Sequence, residues 1–126
     1  GCEGWIDWNL FLNEHGGPNH VDNNCLAPII YNTEKQEVIY APCYYALMHF
    51  SPYIRPGARR TLCSASRDVL EVTSFANPDG TVVVVVLNQS SGDVDFKLKV
   101  GGEGAAPIRA AYTQAPSRSI TTFILD

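Results

Sequence analysis

Strand-length apolar runs separated by turn residues dominate the second half of the chain. Residues 94–100 alternate apolar and charged side chains, the pattern of a strand with one exposed face. Thr81–Leu87 is a continuous, largely β-branched run, which predicts a strand buried on both faces. The residues directly before this run, Asn77–Gly80, contain a Pro and a Gly in the pattern of a tight turn. About six strands at such spacing predict a β-sandwich. The predicted strands are Arg60–Ala65, Val69–Ala76, Thr81–Leu87, Val94–Val100, Ile108–Tyr112 and Ser119–Leu125.

The pattern before residue 52 is richer in aromatic, Asn and His residues. Trp5–Leu12 predicts a short strand, and Asn13–Asn24 is a polar loop whose length is typical of functional or disordered segments. Two further strands, Pro28–Tyr31 and Glu37–Tyr40, flank a turn at residues 32–35. A helix is predicted over Cys43–Phe50, with Tyr44, Leu47 and Met48 on one face, and Ser51-Pro52 is expected to end it.

Composition and charge exclude several classes of protein. The 126 residues are 45% apolar and 17% charged, which is globular composition. No apolar run approaches the roughly 20 residues of a membrane-spanning helix. The net charge of −4, with no basic cluster beyond Arg59-Arg60, argues against nucleic-acid binding. Because the chain begins at Gly1 without a basic-then-apolar leader, we expect a processed product or a fragment.

The cysteines and one glycosylation sequon leave alternatives open. Cys2, Cys25, Cys43 and Cys63 form no C-x-x-C pair, so zinc and thioredoxin-type sites have no motif behind them. Sequence cannot choose among the three disulfide pairings, and buried free thiols are the favoured interpretation. Asn88-Gln89-Ser90 is a sequon at a turn, where a glycan would be accessible, and it weakly favours a secretory route.

Candidate binding chemistry is concentrated in the first 25 residues. The flat apolar face of Trp8 could stack on a sugar ring, although periodicity alone favours a core tryptophan. The Asn-rich loop 16–24 suits a hydroxyl-rich ligand as well as it suits simple turns. His15, His20, Asp22 and Cys25 match no known metal-site spacing, so turn and surface roles are favoured. The acidic residues are scattered and offer no convincing catalytic pair.

Several stretches resemble the C-terminal region of glucosylceramidases, members of glycoside hydrolase family 30. They occur in the family's order and spacing, and together they cover most of residues 4–92. The stretches are Gly4–Leu10, Gly16–Asn19, Ala27–Ile30, His49–Ser51, Ile54–Gly57 and Asn77–Asn88. Residues 119–123 match more loosely.

The resemblance implies a fragment of a (β/α)₈ barrel, its last strand and helix, followed by an all-β sandwich that lacks strands supplied from elsewhere in the full protein. Residues 1–57 would be the end of the catalytic barrel and residues 58–126 the sandwich. Trp8 matches the family's active-site tryptophan, and Asn23 matches a loop asparagine that can reach a bound sugar. The two catalytic glutamates of this retaining family lie on the fourth and seventh barrel strands, so we expect no catalytic residue here and no activity of the isolated chain.

The resemblance also implies a substrate and a location. The parent would hydrolyse glucosylceramide to glucose and ceramide in a lysosomal or extracellular compartment, at a membrane surface, with no metal or organic cofactor. Family members can use a lipid-binding activator protein. His20 and Asn24 replace a tryptophan and an aromatic residue that are usual in the family, which bears on the aglycone part of the substrate. Two alternatives remain: a non-catalytic carbohydrate-binding β-sandwich, and a structural β-domain with an N-terminal extension.

Overall fold

The computed structural model describes residues 2–22, 24–101 and 108–126. The chain divides into two compact units, Gly1–Met48 and His49–Asp126. The elements of the first unit are β1 (Phe11–Asn13), β2 (Ile29–Asn32), β3 (Glu37–Tyr40) and α1 (Pro42–Met48). Those of the second are β4 (Arg59–Thr61), β5 (Leu70–Ala76), β6 (Val82–Asn88), β7 (Val94–Val100), β8 (Arg109–Ala115) and β9 (Ser119–Leu125).

The first unit is built on a three-stranded sheet with β2 in the centre. β1 pairs with β2 in parallel, and β3 pairs with β2 antiparallel, so the predicted hairpin is confirmed. The side chain of Asn32 closes the turn by accepting a hydrogen bond from the backbone N–H of Lys35 at 2.8 Å. Among the described residues of this unit, the buried side chains of Leu12, Ala27 and Pro28 make only a small core.

The predicted strand over Trp5–Leu12 is wrong for most of its length. Only Phe11–Asn13 forms a ladder, because β2 supplies backbone partners from Ile29 onward. Residues 5–10 have no regular structure, and the predicted alternation of faces over Trp5–Leu10 is absent. A strand is stabilised by the ladder to its neighbour, and the described residues provide no such neighbour there.

The helix α1 confirms the predicted element but ends two residues early, at Met48. The carbonyl of His49 accepts a hydrogen bond from the hydroxyl of Thr122 at 3.1 Å. The carbonyl of Phe50 accepts from the N–H groups of Tyr53 and Ile54, which turns the chain. The carbonyl of His49 therefore bonds a distant side chain, while the carbonyl of Phe50 accepts within the turn that follows the helix.

The second unit is a β-sandwich of a four-stranded and a two-stranded sheet. The order of the larger sheet is β4-β5-β6-β9, with all pairs antiparallel, and β7 pairs with β8. Val83–Val86 in the central strand are 1–3% exposed, so the expected burial on both faces is confirmed. Leu70, Val84, Val86, Val94 and Ala115 form the buried core. The six predicted strands and the fold class are confirmed.

The first sandwich strand is shorter than predicted. Pairing between β4 and β5 ends at Thr61, whose hydroxyl lies 2.6 Å from that of Ser74. Leu62 is fully exposed, while the thiol of Cys63 hydrogen-bonds the carbonyl of Val72 at 3.4 Å. The ladder therefore does not extend to Ala65.

All four cysteines carry free thiols, as favoured from sequence, but the expected burial is not general. Cys2 and Cys43 are exposed, and Cys25 and Cys63 are half-buried. The sequence could not predict this difference, because burial of a small side chain depends on which element packs over it.

Asn88, the sequon residue, is buried at the end of β6, which corrects the expected accessibility. It has no exposed surface. Its side-chain amide nitrogen donates to the carbonyls of Gly92, Ala115 and Pro116 at 2.9, 3.0 and 2.9 Å. Its side-chain oxygen accepts from the N–H and hydroxyl of Ser90 at 3.0 and 2.7 Å. In the folded sandwich this amide is a structural group and cannot carry a glycan.

Candidate functional site

Asn13, the last residue of β1, organises the loop that follows the strand. Its side-chain oxygen accepts hydrogen bonds from the N–H groups of His15 at 3.0 Å and Gly17 at 2.8 Å. Its own N–H donates to the carbonyl of Gly17 at 2.7 Å. The loop therefore leaves the carboxyl end of a parallel strand in a defined turn, the place where barrel enzymes carry their binding residues.

Gly16 brings the two ends of this loop together. It has a φ of +75°, and a Cβ at this position would lie 2.5 Å from the backbone nitrogen of Cys25 and 2.7 Å from its carbonyl oxygen. The left-handed backbone and the close approach both require glycine. The side-chain amide of Asn19 also lies 3.4 Å from the carbonyl of Gly16. The loop is thus closed by its own residues.

Glu14 ties the start of the loop to the hairpin. Its carboxylate accepts hydrogen bonds from the hydroxyl and from the backbone N–H of Thr33, the latter at 3.1 Å. The hydroxyl of Thr33 is the main reason that the pKa of Glu14 lies below its usual range. The carboxylate is therefore kept ionised and occupied by structural partners, which does not suit a general acid.

Trp8 lies on the segment that leads into β1 and is 73% exposed, so within its unit it is not a core residue. Its backbone N–H donates to the carboxylate of Asp7 at 2.8 Å. Most of the Trp8 side chain is therefore accessible to solvent. Trp5 is equally exposed at 74%, so exposure alone does not distinguish the two tryptophans.

Asn23, the second predicted sugar-binding residue, lies outside the described residues, so its assignment stays a prediction. Asp22 before it has a positive φ of 53°. Sequence reasoning missed the anchoring roles of Asn13 and Glu14. A signal for the first was available, because an asparagine side chain commonly bonds the backbone two residues further on, which here is the N–H of His15.

The metal site considered at His15, His20, Asp22 and Cys25 receives no support from the part of the chain that the structure describes. Among these residues no three His, Cys, Asp or Glu side chains come together as a metal-binding group. The imidazole of His15 instead lies 3.7 Å from the carboxylate of Glu14. In the same residues no helix has the length and apolar character to cross a bilayer.

A shallow pocket of about 170 Å³ lies in the second unit, lined among others by Tyr53, Arg55 and Asp79. Asn77 at its base is largely buried, and its amide bonds the backbone of Arg55, the carbonyl of Tyr53 and the hydroxyl of Thr81 at 2.9–3.0 Å. The Thr81 hydroxyl is the main reason that the pKa of Asp79 lies below its usual range. The polar groups at the base thus hold a turn together, which is a structural role.

Comparison with protein families explains the combination of a parallel strand, a polar loop and a sandwich. Residues 2–54 match the "Glycosyl hydrolase family 30 TIM-barrel domain". Residues 57–123 match the "Glycosyl hydrolase family 30 beta sandwich domain". The class is that of sugar-cleaving enzymes with a barrel and a β-sandwich. Because the sandwich model alone covers more than half of the sequence, the chain belongs to glycosyl hydrolase family 30, and the resemblance is confirmed.

Individual relatives agree with this assignment. The chain is 41% identical over 122 residues to the lysosomal acid glucosylceramidase of Mus musculus, covering 96% of this chain and 23% of the relative. It superposes on SrfJ from Salmonella typhimurium with a TM-score of 0.84 and 37% identity, covering 99% of this chain and 27% of that one. An endo-beta1,6-glucanase shares the fold at 24% identity and a TM-score of 0.78, with 93% and 26% covered. The chain spans about a quarter of the length of these proteins.

Proposed function

We propose that this chain is part of a retaining β-glucosidase that acts on glucosylceramide. It contributes the last strand and helix of the barrel, which carry part of the sugar-binding site, and the β-sandwich. The observation that carries the proposal is the exposed Trp8 before β1 and the closed, Asn-rich loop after it, in a chain 41% identical to a lysosomal acid glucosylceramidase. That relative supports a lysosomal location. An extracellular location is the alternative that the resemblance implies.

Trp8 has the role of a stacking surface for the glucose ring. Most of the surface of its side chain is exposed to solvent. A flat apolar ring can pack against the C–H face of a pyranose in the same way as aromatic side chains pack against other apolar surfaces. Asn23 contributes a hydrogen bond to a sugar hydroxyl, because an amide can both donate and accept. Asn13 and Glu14 act indirectly, by holding the loop in place.

The chemistry of the parent is double displacement between two glutamates of the barrel. In retaining enzymes the two carboxyl groups are about 5–5.5 Å apart, one as nucleophile and the other as acid and then base. This chain contributes binding and not the reacting carboxyl groups, so the isolated chain is expected to hydrolyse no glucoside. The substrate's ceramide places the reaction at a membrane surface, where a lipid-binding activator protein can take part.

A chimeric enzyme tests the proposal. The corresponding 122 residues of the mouse lysosomal acid glucosylceramidase are replaced by this chain, and turnover of a fluorogenic β-glucoside is measured. We expect an active chimera. Trp8→Ala should lower kcat/KM by roughly tenfold to a hundredfold, since burying a large apolar side chain is worth about 1.5–3 kcal/mol. Asn23→Ala should cost about two- to tenfold, the worth of one neutral hydrogen bond.

Trp5→Ala is the matched control, because Trp5 is equally exposed but is not assigned to the sugar. A chimera in which Trp8→Ala and Trp5→Ala have the same effect would contradict the role of Trp8. A folded chimera that prefers a β-galactoside or a β-xyloside to the β-glucoside would contradict the proposed substrate. Turnover by the isolated chain would contradict the assignment of catalysis to other residues.

A non-catalytic carbohydrate-binding module is the second candidate, favoured by the exposure of both tryptophans in the same short segment. It predicts that the isolated chain binds a glucoside and that Trp8→Ala abolishes binding. Calorimetric titration of the isolated chain with an alkyl β-glucoside distinguishes the two. The enzyme proposal expects no saturable binding, because the other barrel strands complete the subsite.

A further inference from the structure

The turn between β5 and β6 contains an Asp-Gly sequence. Among the aspartates of the chain only Asp79 is followed by glycine, and no asparagine is. The other aspartates inside the chain precede a tryptophan, an asparagine, a valine or a phenylalanine, whose side chains hinder access to the following peptide nitrogen. Glycine has no Cβ and offers no such hindrance. We call residues Asn77–Thr81 the Asp79 turn.

The peptide bond between Asp79 and Gly80 is accessible to water. Pro78, Asp79 and Gly80 are all exposed. Gly80 has a φ of +91°, and a Cβ added to it would meet no atom within 4 Å, so the space beside this bond is open. An exposed Asp-Gly bond can rearrange to isoaspartate by a reaction of the chain with itself, in which water is the other reactant.

This rearrangement has two steps. In the first, the backbone nitrogen of Gly80 attacks the Cγ carbon of the protonated Asp79 carboxyl, an N–C bond forms, and the carboxyl hydroxyl leaves as water with the proton of the N–H. In the second, water adds to one of the two carbonyl carbons of the resulting succinimide and breaks the N–C bond there. Opening at Cγ restores aspartate, while opening at the main-chain carbon leaves the backbone running through the former side chain, which is isoaspartate.

The native hydrogen bonds oppose both requirements of the first step. The nitrogen has to lose its proton, but the N–H of Gly80 donates to the carbonyl of Asn77 at 3.0 Å. The carboxyl has to be protonated, but its oxygen accepts from the N–H and the hydroxyl of Thr81 at 3.0 and 2.7 Å. Such hydrogen bonds favour the charged form. The Thr81 hydroxyl is the main cause of the lowered pKa of Asp79, and the charge of Arg55 acts in the same direction.

From these observations we propose that the Asp79–Gly80 bond is a site of spontaneous isoaspartate formation, and that the native Asp79 turn slows the reaction through its hydrogen bonds from Thr81. The inference does not depend on the proposed function, because it involves no sugar. Isoaspartate would add one carbon to the backbone of the Asp79 turn, whose ends are joined by the N–H of Asn77 donating to the carbonyl of Thr81 at 2.9 Å. The modification would therefore loosen the hairpin of β5 and β6 at its turn.

Ageing of the 126-residue chain tests the inference. The chain is kept at about pH 5, where an aspartate with the ordinary pKa of about 3.9 is still partly protonated. Isoaspartate at position 79 is then measured by peptide mapping combined with enzymatic methylation of isoaspartate. We expect Thr81→Val to form it about two- to tenfold faster than the wild type, the worth of one neutral hydrogen bond. In urea, which unfolds the turn, both proteins should react at the same rate, faster than the native wild type.

Thr81→Ser is the matched control, because it keeps a hydroxyl for the carboxylate of Asp79 and should age at the wild-type rate. Far-UV circular dichroism checks that each variant retains its strands. Equal native rates for the wild type and Thr81→Val, or an equal acceleration by Thr81→Ser and Thr81→Val, would overturn the role of the hydroxyl. Equal rates for the wild type in buffer and in urea would overturn protection by the native turn, even if Thr81→Val failed to fold. Absence of isoaspartate at position 79 in the unfolded chain would overturn the site itself.

Discussion

Replacing Asn88 with alanine should strongly destabilise the sandwich. The amide of Asn88 donates to three carbonyls at 2.9–3.0 Å, and its oxygen accepts two bonds from Ser90. The carbonyl of Ala115, a residue with no exposed surface, would lose this donor where water does not reach it. A buried unsatisfied group costs about 1–3 kcal/mol and each remaining bond about 0.5–1.5 kcal/mol. We expect a total of about 3–5 kcal/mol.

Asn88→Asp keeps the shape but removes the donors. A carboxylate facing three carbonyls is disfavoured, so the pKa of the new carboxyl should lie above its unfolded value of about 3.9. When the folded-state pKa of a carboxyl is raised, the native state favours the protonated form, so the free energy of unfolding is lowest above the folded-state pKa, where the carboxyl is ionised. The penalty should therefore be smallest below about pH 3.9 and grow as the pH rises through the folded pKa.

Urea unfolding followed by far-UV circular dichroism measures the loss. Hydrogen exchange of the β6 amides localises it, since both tryptophans lie in the first unit and do not report on the sandwich. Ser91→Ala, an exposed neighbour in the same turn, should change stability by less than about 0.5 kcal/mol. A loss below about 1 kcal/mol for Asn88→Ala, or a glycan on Asn88 in folded chain from a secretory host, would refute the reasoning.

Two further substitutions test local geometry. Gly16→Ala should open the loop, because the new Cβ would lie 2.5 Å from the backbone nitrogen of Cys25 and because Gly16 has a φ of +75°. In limited proteolysis the variant should be cut much faster than the wild type. Equal rates of cleavage would contradict the closed loop. Thr81→Val should raise the pKa of Asp79 toward its usual value, because the Thr81 hydroxyl is the main cause of its lowering. The stabilisation from this lowered pKa is present above the unfolded pKa and is lost as the pH falls through the folded pKa. A carboxyl titration followed by NMR that shows the same Asp79 midpoint in both proteins would contradict the assignment.

Elements stabilised by their own side-chain pattern could be predicted from sequence. Residues 94–100 form a strand because alternate side chains enter the core, and Val82–Asn88 is central because its apolar run suits burial on both faces. The hairpin of β2 and β3 follows from a local turn. In each of these elements the determining residues are close in sequence.

Features determined by distant residues could not be predicted. The carbonyl of His49 accepts a hydrogen bond from Thr122, which is 73 residues away along the chain. The burial of Asn88 depends on carbonyls 27 and 28 residues further along the chain, whereas a sequon is recognised from three consecutive residues. The sugar-binding role proposed for Trp8 rests on the family resemblance, because periodicity alone favours a core tryptophan.

The placement of β9 beside β6 has a consequence for folding. β6 holds five consecutive valines, and its second backbone edge is covered only when Ser119–Leu125 pairs with it. Until β7 and β8 have been made and β9 has followed, that edge is open and β-prone, the kind of segment that pairs with other chains. Any interruption of the chain before Ser119 would leave this valine strand as a seed for aggregation.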